Sequence, residues 1–449
     1  MSNLVDFFAR IQKCRTQVCI KDANNSYTYE NLLSAIDSWE KRFDNWQILP
    51  GTVVGVRADY SISSVAALLA LLRRKAVAAL IPHSASPNQY LLDSFSIALL
   101  DIASEQNFGW HPIDCSHHHE LLESLRLGNE GGIVLFTSGS TGRPKAVLHS
   151  VERFLAKFQR PGRSLCTLAF LLFDHIGGLD TLFYTLCNGG TLVLVRRRDP
   201  DSIFATIQTH GVEVLPSSPS FLRLACLAGS QLKYNLSTVK VITYGAEPMD
   251  ATTLTRINAL FPTAEIIQRY GTTETGSPST RSRAKDSLWV SFNKNGVETK
   301  VVNEVLWIRN AGSMLGYLNS PTPIDEFGWY CTGDLVDLDG EWIRFRGRLT
   351  DLVNVGGEKV SPVEVEEVIL ELDLVRTAMV TGEPHPLMGK IIVAKVVLAQ
   401  AGIDRKTAAQ LIREHCNRRL ARHKVPVKIA VVTEGFSNER QKVQRRNDV

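Results

Sequence analysis

The chain has little that would mark a secreted, membrane-bound or nucleic-acid-binding protein. Its 449 residues contain eight cysteines, scattered without paired spacing. That argues against a disulfide framework or a thiolate zinc site and fits a reducing compartment. No apolar run is long enough to span a bilayer. The best, Val65–Leu72, is ended by Arg73-Arg74-Lys75. The N-terminus lacks the basic, apolar, then small-residue layout of a signal peptide, so the expected location is the cytoplasm. A formal charge of only +4 leaves no dedicated nucleic-acid surface in view. There are no internal repeats and no low-complexity tract. His117-His118-His119, beside Asp114 and Glu120, reads as a solvated loop and not a metal site.

What is present belongs to a globular protein, with 44% hydrophobic and 21% charged residues. The length calls for at least two domains. Up to about residue 130, and again from 150 to 267, strand-like and helix-like segments alternate, as in parallel β-α-β units. Tyr29, Leu32, Leu33 and Ile36 recur at helical spacing, Ile62–Leu72 reads as a buried helix, and Val77–Ile81 as a strand. From Val297 the strands come closer together, which predicts a smaller antiparallel or barrel-like sheet closing the large domain. A boundary falls near Arg346–Thr350. It gives an N-terminal domain over 1–346 and a small α+β domain over 347–449. There Ser361-Pro-Val-Glu364 has the form of a capping box with Pro at the first helical position.

The stretch around which the chain is organised is Phe136-Thr-Ser-Gly-Ser-Thr-Gly-Arg-Pro-Lys145. An apolar strand ends at Phe136, and another begins at Ala146. Gly139 and Gly142 accept backbone angles that let successive N–H groups converge on an anion. Thr137, Ser138, Ser140 and Thr141 add hydroxyls; Arg143 and Lys145 add cations. It is not a Walker A loop, because Lys145 follows Pro144 and precedes a strand. Further along, Thr272 and Thr273 stand beside Glu274, just past a strand. Hydroxyls suit an α-phosphate, and a carboxylate suits Mg²⁺, which accepts phosphates as co-ligands. Tyr244-Gly-Ala-Glu-Pro248 follows another strand end, where open α/β sheets collect ligands.

Four ordered segments now carry a resemblance: Phe136–Lys145, Tyr270-Gly-Thr-Thr-Glu-Thr-Gly276, Tyr330-Cys-Thr-Gly-Asp-Leu335 and Gly347–Gly357. Motif by motif the chain resembles the adenylate-forming superfamily of acyl- and aryl-CoA synthetases, nonribosomal adenylation domains and luciferases. The likeness implies ATP and Mg²⁺ as cofactors. It also implies transfer of AMP onto a carboxylic acid, then of the acyl group to a thiol, either CoA or the phosphopantetheine of a carrier protein. It assigns the 137–142 loop and Lys145 to the phosphates, Thr272, Thr273 and Glu274 to the α-phosphate and Mg²⁺, and Tyr270 to packing on the adenine. Gly245, Ala246, Glu247 and Gly271 would also contact the nucleotide. Asp334 would accept from both ribose hydroxyls, with Arg348 nearby. Lys442 takes the place of the lysine that bridges acid and α-phosphate.

Three positions depart from the family pattern: Gln441 replaces a usual Gly, Thr350 stands at the usual hinge beside Asp351, and Asn354 replaces a frequent Lys. Gly356-Gly357 marks the backbone that faces the thiol. Leu172-Phe-Asp-His-Ile-Gly-Gly-Leu179 lies where the family lines its acid pocket, with Phe173, Asp174, His175, Tyr244, Gly245 and Gly271 as walls. His175 fits the acyl/aryl version, while Phe173-Asp174 also fits amino-acid adenylation, where the Asp holds an ammonium. The short Val297–Gly316 segment resembles compact o-succinylbenzoate–CoA ligases. An aryl or medium acyl acid is the first expectation. The alternatives are an amino-acid adenylating enzyme loading a carrier protein, or a catalytically silent nucleotide-binding partner.

Overall fold

Burial explains the first half of the chain. Every residue from Ile62 to Leu72 is buried, so this helix is apolar all round and runs through the interior. Ser61 and Ser64 cap its start reciprocally. The basic run that ends it is tied down: Arg73 reaches Asp37 at 2.6 Å, and Arg74 Nε donates to the Ile48 carbonyl. The helix Tyr29–Asn45 buries Tyr29, Leu32, Ile36, Trp39 and Phe43 along one face and is closed by a Thr28/Asn31 box.

The computed structural model describes residues 2–104, 107–114, 119–137, 143–292, 296–399 and 402–433. Two seven-stranded sheets form the body of the large domain. In one, Glu265–Gln268, Val241–Tyr244, Val214–Ser217, Cys166–Ala169 and Thr191–Leu194 run parallel, and Val18–Lys21 continues the parallel run. In the other, Val53–Ala58, Val77–Ile81 and Ala98–Ile102 run parallel beside Gly132–Thr137. Gly132–Thr137 and Lys145–Ser150 form an antiparallel hairpin that pairs Thr137 with Lys145. The phosphate-loop candidates Ser138, Gly139, Ser140, Thr141 and Gly142 lie outside the described residues, but both feet of their loop are fixed.

The strands from 280 to 348 make a third sheet, six-stranded and antiparallel, which takes in two strands before the expected start at Val297 and in which Tyr330–Asp339 lies between Val305–Asn310 and Trp342–Arg348. A last, five-stranded sheet carries the helices Pro362–Leu370 and Arg405–Arg419. The helix begins at Pro362 as the sequence predicts, but the expected box does not form. Ser361 Oγ donates instead to the Arg346 carbonyl at 2.8 Å, and Glu364 pairs with Lys424. Proline already sets the first turn and removes one orphan N–H, which frees the serine to hold the linker. The buried apolar cluster of this part draws only on residues from Val353 onward, whereas the others end at Phe345.

Candidate active site

The site assembles where the third sheet meets the carboxyl ends of the parallel strands. From the foot of the hairpin, Lys145 Nζ lies 4.8 Å from the centre of the Tyr317 ring. Tyr317 in turn donates its hydroxyl to Glu274 Oε1 at 2.9 Å. Glu274 is only 9% exposed. Among the described residues no cation pairs with it. A buried carboxylate held by one neutral phenol is incompletely satisfied, so its donor set fits a bound cation. No group of three or more His, Cys, Asp or Glu gathers among the described residues. Any Mg²⁺ here would therefore share its shell with phosphate oxygens and water.

Asp334 comes from the antiparallel strand, just after Gly333, whose φ of 72° places it in the region only glycine enters freely. Its carboxylate accepts from Tyr270 Oη at 2.6 Å and from Arg348 Nε at 3.2 Å. Burial pushes the Asp334 carboxyl up, and the Arg348 guanidinium pulls it back. Arg348 keeps 58% of its side chain exposed, so it can hold Asp334 and still meet a ligand. Its guanidinium feels the charge of Asp334 first and, to a lesser degree, that of Glu274. Tyr270 stacks on Phe345, 4.6 Å between centres and 4° between planes. One face of this ring is thus already covered.

At the strand ends the glycines answer to the protein's own backbone. A Cβ on Gly245 would lie 2.4 Å from the Arg269 carbonyl, and one on Gly271 would lie 2.4 Å from that of Gly276. Smallness here is required by chain packing. Ala246 sits at φ 70°, a left-handed conformation strained for alanine. Two of the expected pocket walls are deeply buried. Tyr244 is 2% exposed and donates to Gln268 Oε1, and Phe173 is 1% exposed against Tyr60. Both side chains belong to apolar cores, Tyr244 by strand alternation and Phe173 from the turn before the helix Ile176–Cys187. Asp174 is buried too. His175 caps the helix Ile176–Cys187, its Nδ1 accepting from the Gly177 N–H. Glu247 accepts from Ser220 N and Oγ at the start of Pro219–Leu227. Thr272 bonds to Thr275 within its own turn.

The structure adds residues that sequence reasoning passed over. His149, 1% exposed, meets the Thr273 carbonyl through Nε2 at 2.8 Å. A carbonyl only accepts, so Nε2 carries the hydrogen and the ring is neutral. Burial lowers its pKa to about 4. Lys157 pairs with Asp180 and donates to the Ser277 carbonyl at 3.2 Å, while Arg269 lies 3.4 Å from Asp180. These polar groups brace the 269–277 turn from below. Each follows ordinary apolar or polar spacing, so no motif marks it. Arg143, read as a phosphate donor, has its Nε 3.2 Å from Asp93. Lys442 lies outside the described residues.

Comparison with known proteins agrees with this geometry. Residues 128–318 match the model of AMP-binding enzymes, and residues 364–441 match the model of their C-terminal domain. The chain belongs to the AMP-binding enzymes. Acetyl-coenzyme A synthetase of Bacillus subtilis is 30% identical over 362 residues, covering 72% of this chain. The chain spans 63% of that synthetase's length. A 2-succinylbenzoate–CoA ligase of Bacillus cytotoxicus is 25% identical over 96% of the chain and 95% of its own length. The crystal structure of an anthranilate CoA ligase with anthranoyl-AMP superposes with a TM-score of 0.83 at 18% identity, over 99% of this chain and 96% of that one. The likeness places the AMP-binding fold along the whole chain.

Proposed function

We propose that this AMP-binding enzyme activates an aryl or medium acyl carboxylic acid with ATP and passes the acyl group to a thiol, either CoA or a carrier protein's phosphopantetheine. The observation that carries this reading is the meeting of Lys145, Glu274, Arg348 and Asp334 through Tyr317 and Tyr270. In it Asp334 receives the ribose hydroxyls and Arg348 bridges toward phosphate. Thr272 and Thr273 approach the α-phosphate, and Glu274 holds Mg²⁺, which when bound neutralises phosphate charge. The acid's oxygen attacks the α-phosphorus and pyrophosphate leaves. The thiolate then attacks the acyl carbon, and AMP departs with the attacking oxygen. Lys442 balances the charge of the first step. Losing such a donor lowers a rate on the order of 10² to 10³.

A relative of full length named for succinylbenzoate, and a fold neighbour bound to anthranoyl-AMP, support an aromatic acid. Buried Asp174 beside His175 keeps amino-acid adenylation as the second reading. Seven described cysteines are free, and no described helix is long and apolar enough to cross a membrane, which supports cytoplasmic work. Acid-dependent exchange of labelled pyrophosphate into ATP separates the readings. Aryl and medium acyl acids should support it best. Amino acids as best substrates would reverse the order, and silence across a broad panel would favour a non-catalytic nucleotide binder.

A further inference from the structure

Among the described residues, the boundary between the large domain and the part that begins at Val353 has no shared apolar cluster. Where two cores do not merge, relative motion is the default, and what joins them decides their orientation. Here the join is centred on one side chain. Arg223, in the helix Pro219–Leu227, is 3% exposed. Its Nη2 donates to the carbonyls of Leu370 and Val375, both at 2.8 Å, and its Nε to that of Arg376 at 3.0 Å. Nη1 serves its own domain, with Thr253 Oγ1 at 3.2 Å and Asp250 at 3.5 Å.

The receiving carbonyls stand at the end of the helix Pro362–Leu370 and the start of the strand Val375–His385. The last carbonyls of a helix lack intrahelical partners and carry the negative end of its dipole. A guanidinium offers five donors in a rigid fork, so one residue satisfies both sides at once. Around it further polar contacts cross the seam: Arg256 with Asp373, Arg344 with Glu367 at 3.6 Å, and Ser361 with the Arg346 carbonyl.

We propose that Arg223 is a positioning residue: a releasable fork that seats the C-terminal domain on the large domain in the orientation seen here. It acts through hydrogen bonds to backbone, so the seat can open without exposing a hydrophobic core. That it matters for catalysis rests on the proposed acid–thiol ligase reading; the seating itself does not.

The full chain tests this with Arg223→Met, Arg223→Lys and, at the exposed rim, Asp373→Ala. Amide hydrogen exchange should rise at least tenfold in 219–227 and 370–376 for Arg223→Met, with the strands of both cores as protected as before. Arg223→Lys should recover part of that protection, and Asp373→Ala should loosen 370–376 less. In the same variants the rates of pyrophosphate exchange and thioester formation should change by different factors, altering their ratio at least fivefold. Unchanged exchange at the seam would overturn the proposal. So would loss of protection in both cores together, which marks a merely structural arginine; should Arg223→Met not fold, the lysine and rim variants decide by the same readings. A wild-type protein inactive with every acid would sink the ligase reading while the exchange pattern still judged the seat.

Discussion

The turn beneath the candidate site and the seam between the domains both bury polar groups, yet in opposite ways. At the turn, buried His149, edge-on to Phe154, holds the Thr273 carbonyl within the large domain. At the seam, charged Arg223 crosses between two cores, with Glu367 and Arg344 alongside. Burial makes the first support costly to disturb, whereas the second consists of contacts that charge or solvent can replace. The lesson is that the site's floor is built to stay and the seam to yield.

Removing the charge at the site should have the largest effect. Glu274→Gln should lower acid-dependent pyrophosphate exchange on the order of 10² to 10³, with little loss of thermal stability, since a Gln side chain can still accept from the Tyr317 hydroxyl that holds this carboxylate. A drop below tenfold would remove Glu274 from the metal-binding role. Gly245→Ala strikes the floor itself. With the Arg269 carbonyl 2.4 Å from the new Cβ, it should cost about 1–3 kcal/mol in denaturant unfolding. An unchanged midpoint would mean that the strand ends move apart freely.

The pH dependence separates floor from seam by sign. Burial raises Glu367 from the usual 4.5 to about 7. Its contribution is complete below pH 4.5 and disappears as pH rises through about 7. His149 is lowered from 6.5 to about 4. Its contribution is complete above pH 6.5 and is lost as pH falls toward 4. Each is on the order of 2 kcal/mol, and in the native chain the two slopes oppose. Melting curves from pH 4 to 8 should therefore show Glu367→Gln more stable than wild type at pH 8, with the acid-side decline laid bare. His149→Gln should show a decline on the alkaline side. Parallel curves for all three proteins would contradict the comparison. Smallest of all, Ala246→Gly should relieve the left-handed strain at φ 70° and stabilise by about 1 kcal/mol; a destabilised variant would show that the methyl group packs.

Much of this was legible in the order of residues. Val77–Ile81 is a strand with the predicted bounds, and Pro362 begins its helix, because apolar runs and proline act locally. The motif residue Asp334 does meet Arg348, at 3.2 Å. Proximity to a motif does not say how deep a side chain lies, and Tyr244 and Phe173 are both buried. Tyr317, His149 and Arg223 were invisible for another reason. Each acquires its role from a partner more than 40 residues away, and no spacing in a single chain encodes such a meeting.

Isotope tracing puts the proposed chemistry to its most direct trial. The chain is incubated with ATP, Mg²⁺, a thiol and an aryl acid whose carboxylate carries ¹⁸O, and the products are weighed by mass spectrometry. Attack on the α-phosphorus followed by thiolysis predicts one ¹⁸O in AMP and none in pyrophosphate. Heavy oxygen in inorganic phosphate, with ADP as the nucleotide product, would mean that the acid is activated at the γ-phosphorus and that the account given for this site is wrong.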